Sequence, residues 1–253
     1  MGIQDDGIEL SAVLELPQEH DGRRLVIQLH GFTSEKDRPH NIRAAAAMRD
    51  AGFATLRFDL YGHGKSGGEF KNHTLFKWIS NTMAVIHWAL DRGYDDLYLS
   101  GHSQGGLVAA LAAGMEADRI HGLILLAPAF MIPQGARDGM LLGRRFDPDH
   151  IPEEIDVIKG LKLGGDYLRV AQTIHVEDAV DRFRKPVLIL HGDQDDTVPP
   201  EDSKRFAGRY ACCRLTVLEG ETHHFDQNPK RMESLIREWL SETGKEVVGR
   251  NAE

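Results

Sequence analysis

Leu97-Tyr98-Leu99-Ser100-Gly101-His102-Ser103-Gln104-Gly105-Gly106 is the stretch on which the fold turns. Residues 97–100 are strand-like, and a small-residue helical pattern follows over 107–117. Between them, Gly101 to Gly105 matches Gly-x-Ser-x-Gly. A sharp strand-to-helix turn lifts such a serine hydroxyl above the sheet edge, and its strained backbone tolerates little bulk nearby, hence the glycines. The first helical N–H groups have no partner inside the helix and face any negative charge that develops there. The five-residue string is common by chance; its place between strand and helix makes Ser103 the candidate nucleophile. His102 reads as a packed residue of the turn.

The same rhythm recurs outward from this point. Residues 25–29 form an apolar run that leads into His30-Gly31-Phe32, with helical spacing over 42–51. Residues 54–58 lead into Asp59-Leu60-Tyr61-Gly62-His63-Gly64, and 78–91 read as a helix. Residues 122–127 end at Pro128, 186–190 end at His191-Gly192-Asp193, and 214–218 lead into 220–224. An amphipathic helix over 232–241 closes the pattern. Apolar strands alternating with helices predict an α/β fold, a mostly parallel sheet covered on both faces. Chemistry in such sheets gathers at the carboxyl ends of the strands, where all the Gly/His turns lie. Residues 128–183 break the rhythm with short apolar pieces among Gly, Pro and charged residues. A structureless loop of that length is improbable in a compact domain. The expectation is an inserted lid subdomain over 128–183, with a core made of 1–127 and 184–253.

Composition bounds the setting. At 41% hydrophobic and 27% charged, the 253 residues have the make-up of a soluble globular protein and are enough for a large core without disulfides. A net charge of −9 argues against nucleic acid or an anionic membrane as partner. Adjacent Cys212 and Cys213 would point to opposite faces of a strand, so they read as two reduced thiols that fit a reducing compartment. Residues 1–16 lack the pattern of a signal peptide, and the apolar runs are too short to span a bilayer. A cytoplasmic protein is expected, acting on a small molecule, with a homodimer left open.

A serine hydroxyl needs an adjacent base, held in turn by a third group. Folds with this kind of elbow place them in the order Ser, Asp or Glu, His. Of the thirteen histidines, only His223 and His224 lie on a turn after a late strand and before the final helix. Gly220-x-x-His223 favours His223; His224 is the alternative. The acid belongs to the turn His191-Gly192-Asp193-Gln194-Asp195-Asp196, where the spacing favours Asp195 and leaves Asp193 and Asp196 as turn formers. Two backbone donors should face the oxyanion of an acyl-transfer intermediate, and Gln104 and Phe32 are the candidates. His30 and His63 read as hydrogen-bonded supports of the loop floor, since no paired-ligand spacing accompanies them. No metal and no cofactor is called for.

His30-Gly31-Phe32, Asp59 to Ser66, Gly101 to Gly106, His191 to Asp195 and Thr222-His223 together resemble the bacterial cinnamoyl/feruloyl esterases of the α/β-hydrolase superfamily. Phe146-Asp147-Pro148, Ile151-Pro152 and Tyr167 to Gln172 resemble that family's lid, so the likeness covers nearly the whole chain. It implies a serine carboxylesterase that releases hydroxycinnamic acids and accepts short-chain esters. It further implies that lid polar groups hold the phenolic end of the substrate, with Tyr167 as the matching position and Gln134 and Asp138 nearby. Ser103 in place of Asp excludes dehalogenase and epoxide hydrolase chemistry. A general short-chain carboxylesterase, a monoacylglycerol-type lipase, a thioesterase, a peptidase and a carbon–carbon bond hydrolase share the same triad. A non-catalytic ligand-binding protein on this fold is the reading from another class.

Overall fold

The computed structural model describes residues 1–250. Two antiparallel strands, β1 (Gly2–Asp5) and β2 (Ile8–Glu15), open the chain, and β3 (Arg24–Leu29) follows. Next come α1 (Pro39–Asp50), β4 (Ala54–Phe58), α2 (Leu75–Leu90), β5 (Asp96–His102), α3 (Gln104–Met115) and β6 (Ile120–Leu126). An excursion outside the main sheet contains α4 (Ile132–Arg137), β7 (Met140–Leu141), β8 (Arg144–Arg145), β9 (Glu154–Asp156), β10 (Lys162–Gly164), α5 (Gly165–Thr173) and α6 (Val176–Arg182). The chain then returns through β11 (Val187–Gly192), α7 (Pro200–Ala207), β12 (Cys213–Leu218) and α8 (Pro229–Arg250).

The main sheet has eight strands in the order β1-β2-β4-β3-β5-β6-β11-β12, parallel from β4 onward, with β2 antiparallel to β4. This is the α/β-hydrolase fold. The opening hairpin had no counterpart in the sequence reading. Its strands alternate buried and exposed positions at the sheet edge, a weaker signal than the fully buried runs of β4 and β11. From β3 the chain crosses to β4 on one side, and from β5 it crosses to β6 on the other. The crevice between the carboxyl ends of β3 and β5 is therefore the topological switch point, where sheets of this kind bind ligands.

Helix α3 lies against β5 with every residue from Gln104 to Gly114 buried. A helix apolar all round suits such a place. It begins immediately after Ser103, three residues earlier than its sequence pattern indicated, because Gly105 and Gly106 look like turn residues but are helical here. A Cβ on Gly101 would overlap the Gly105 carbonyl, and one on Gly105 would overlap the His30 carbonyl. Those two glycines let helix, β5 and the β3 turn meet at one point. Among the described residues, no helix is long and apolar enough to cross a membrane.

Candidate active site

The serine at the β5–α3 junction has φ 55° and ψ −123°, a conformation that L side chains rarely adopt. Thr33, Ala127 and Phe225, beside the same crevice, also have positive φ. Strain of this sort gathers where neighbouring structure fixes the backbone for function. Ser103 itself is held by its N–H donating to the Leu126 carbonyl (2.9 Å) and its carbonyl accepting from Ala129 (3.0 Å).

His223 brings Nδ1 to 2.7 Å from Oδ2 of Asp195. A carboxylate only accepts, so the proton sits on Nδ1 and Nε2 keeps its lone pair. The Asp195 side chain is fully buried and also accepts from the Thr197 and Val198 N–H groups at 2.9 and 2.8 Å. Burial opposes its ionisation. The hydrogen bonds from His191 and His223, the His223 charge and the Val198 N–H outweigh that and hold its carboxyl well below the usual carboxylate range.

His191 went unassigned from sequence. Its Nε2 lies 2.8 Å from the Val198 carbonyl and 3.1 Å from Asp195 Oδ2. Both partners accept, so Nε2 carries the proton and donates to them. Its Nδ1 is 2.7 Å from the Ser203 hydroxyl, at the far side of a wholly buried ring. His191 thus backs Asp195 as Asp195 backs His223. The only sequence signal was a histidine at the end of a buried strand, which fits a packed residue equally well.

Asp193 departs from the expected turn former: its Oδ1 accepts from the Gly220 N–H at 2.7 Å, across to the other loop. The Asp193 N–H donates to Leu218 (3.1 Å) and the Gln194 N–H to Glu221 (3.0 Å). Buried Glu221 accepts from Gln227 and Asn228, both at 2.9 Å. The loops that carry Asp195 and His223 are thereby bound into one unit. Asp196 stays local, accepting from Thr197.

On the other side of Ser103, the N–H groups of Phe32 and Gln104 have no acceptor among the described residues. Gln104 is the first residue of α3, whose leading N–H groups lack intrahelical partners. Buried Asp59 steadies the loop that bears Phe32: it accepts from Lys36 N and Lys65 N at 2.8 and 2.9 Å and pairs with Lys36 Nζ at 2.7 Å. His30 joins the same floor, accepting the Leu60 N–H at 3.0 Å and donating to the Gly31 carbonyl at 2.8 Å. His63 donates to the Tyr61 carbonyl at 2.9 Å.

Ser103, Gln104, Phe32 and His223 open onto one cavity of about 860 Å³. Its opposite wall comes from the excursion between β6 and β11 and is apolar, with Met131, Ile132, Met140, Leu141, Leu142 and Ile158. The three residues that the resemblance put against the substrate stand elsewhere. Tyr167 is 1% exposed, behind the cavity wall, and its hydroxyl donates to Gln104 Oε1 at 2.6 Å. Gln134 and Asp138 are exposed and hydrogen-bonded to each other at 2.7 Å. They face away because α4 turns its other side, with Ile132 and Gly135, to the cavity.

His102 is more than a packed residue, since its Nε2–H donates to the His223 carbonyl at 2.8 Å. His224, the alternative base, is exposed and stacks on His40 (ring centres 5.3 Å apart, planes at 21°), while the hydrogen bond to Asp195 is made by His223.

A family model described as "Serine aminopeptidase, S33" matches residues 20–153. The chain belongs to that family of α/β hydrolases. A solved structure of Est1E from Butyrivibrio proteoclasticus with ferulic acid bound is similar to it at 48% identity, covering 96% of this chain and 98% of that one with a TM-score of 0.94. This agrees with the likeness to cinnamoyl/feruloyl esterases read from sequence. The hydrolase is 24% identical to caffeoylshikimate esterase of Arabidopsis thaliana over 94% of its own length and 83% of that protein. Protein ABHD12B of Homo sapiens is 28% identical over 73% of this chain, which spans about half (49%) of the human protein.

Proposed function

We propose that this hydrolase cleaves esters of hydroxycinnamic acids, and simple short-chain esters, through an acyl-enzyme on Ser103. The reading rests above all on the hydrogen-bonded His223–Asp195 pair beside Ser103 in a cavity with an apolar far wall. A cavity of about 860 Å³ lies in the range that takes a small ligand whole. The similarity to Est1E, whose solved structure holds ferulic acid, supports an aromatic acyl group.

In this reading His223 Nε2 takes the Ser103 proton as the hydroxyl attacks the ester carbonyl. Asp195 stabilises the imidazolium, and the N–H groups of Phe32 and Gln104 receive the oxyanion. His223 then hands its proton to the departing alcohol. A water, activated the same way, releases the acid and restores Ser103. The excursion over 128–183 acts as a lid whose apolar side lies along the flat acyl group.

Hydrolysis of methyl ferulate, p-nitrophenyl butyrate and a long-chain p-nitrophenyl ester tests the assignment. Methyl ferulate should match the butyrate in kcat/KM to within about tenfold, the long-chain ester should lag, and Ser103→Ala should lower kcat on all by roughly 10⁴-fold or more. Near-normal turnover in Ser103→Ala would remove the triad. Turnover of the butyrate alone would leave a general short-chain carboxylesterase.

A further inference from the structure

Three histidines from separate parts of the chain converge on the cavity beside the proposed triad: His40 from the start of α1, His102 from the β5 turn and His224 from the loop before α8. One ring nitrogen of each lies within 4.8 Å of the other two. The His40 and His102 ring centres are 4.4 Å apart. His102 spends its Nε2–H on the His223 carbonyl, so its Nδ1 is a bare lone pair, and that atom is buried with no partner among the described residues. Nε2 of His40 is buried and without a partner among the described residues as well. With 6% and 2% exposure, His40 and His102 hold polar atoms that a folded protein rarely leaves unsatisfied.

We propose that His40, His102 and His224 form a three-histidine site for a divalent transition metal, zinc foremost, opening into the catalytic cavity. The chemistry suits the ion. Imidazole nitrogens bind zinc when neutral, and burial pushes His40 down to about 3 and His102 well below its ordinary value, so both are neutral ligands at pH 7. The bond from His102 to a backbone carbonyl fixes ring and tautomer, as the outer partners of metal-bound histidines do. Zinc–nitrogen bonds of about 2.0–2.1 Å bring ligand nitrogens to about 3.4 Å from one another. Exposed His224 closes that gap by swinging inward. Arg38 and Arg43 line the same cavity and oppose a cation, while Asp226 favours it, so binding should be reversible rather than structural. An ion there sits beside Ser103 and pulls on the ring that holds the His223 backbone, which makes it an inhibitor.

Chelator-stripped protein titrated with zinc chloride by calorimetry, and with cobalt(II) by visible absorption, reads the site directly and independently of any esterase activity. The expected result is one saturable equivalent per chain with a tetrahedral-type cobalt band. His224→Ala and His40→Ala should each weaken binding by at least about tenfold, and His150→Ala, at an exposed histidine elsewhere, should leave it unchanged. One equivalent of zinc should also suppress p-nitrophenyl butyrate hydrolysis until EDTA is added. Absence of a saturable equivalent, or binding unaltered in His224→Ala, would overturn the proposal. His224 is exposed, so that variant keeps the test decisive even where His40→Ala fails to fold. Tight binding with undiminished hydrolysis would place the ion away from the cavity and overturn it equally.

Discussion

Tyr167 joins Phe32 and Gln104, whose N–H groups have no acceptor among the described residues. Its hydroxyl donates to the Gln104 side chain at 2.6 Å, and its ring meets Phe32 edge-on, with centres 6.3 Å apart. Burial raises its hydroxyl far above the ordinary tyrosine range, so it stays a donor at any working pH. The resemblance implied a substrate contact; with its hydroxyl on Gln104 and its ring on Phe32, we propose instead that Tyr167 positions the proposed oxyanion site. Tyr167→Phe should then lower kcat for p-nitrophenyl butyrate by about three- to tenfold with KM nearly unchanged, since one neutral hydrogen bond contributes about 1 kcal/mol. A change confined to KM for ferulate esters would return Tyr167 to the substrate. The pattern around Ser103 was legible because the elbow needs glycines at fixed offsets. The partners of His191 and Tyr167 were not, because they lie far away along the chain or share a loop without any spacing rule.

The joint of β3, β5 and α3 depends on bare backbone. Gly105 meets the His30 carbonyl, and Gly31 is tightly placed too, since a Cβ there would lie 3.0 Å from Ser103 Cβ and make it give way. Gly105→Ala should therefore push α3 away from the β3 turn, with a cost of about 1–3 kcal/mol and a fall in Tm of several degrees. Activity should fall further than stability accounts for, because Phe32 and Gln104 sit on the two elements forced apart. Calorimetric melting beside kcat on the same preparation checks this; a variant as stable and active as the parent would refute the close-packing argument. The buried parallel strands and most of the helices between them were readable from hydrophobic period, whereas the edge hairpin, the short α7 and the last turns of α8 were not. The excursion was readable only as an interruption: strands of two or three residues, such as β7 and β8, are too short to show a period.

At the scale of the molecule, His30, His40, His63, His73 and His102 are all buried. Burial, then in most cases neighbouring histidine charges, pushes His30, His40 and His73 down to about 3, with His102 well below its ordinary value and His63 lowered too. In the unfolded chain each titrates near 6.5. From about pH 6.5 down toward 3, the unfolded state takes up protons that the folded state refuses. Stability is thus fully present above about pH 6.5 and falls as pH drops through that window. Calorimetry should find Tm nearly level above about pH 7 and falling steeply below 6.5, with His73→Phe flattening the decline. An unchanged Tm down to about pH 4.5 would contradict the burial of these rings as neutral species.

Sequence by itself determined the alternation of buried strands and helices and the strand–turn–helix at Ser103, because each follows from local period or fixed offset; it also offered Ser103, Asp195 and His223 as the proposed triad, from the chain order that folds with such a turn keep. Only tertiary structure decided that Asp193 binds the loops of Asp195 and His223 together, that His191 stands behind Asp195, and that His40, His102 and His224 come within reach of one another. Those pairings join residues separated by as much as 184 positions, counted from His40 to His224. Chain spacing carries no information about such contacts, since they exist only once the sheet has brought its strand ends to a common edge.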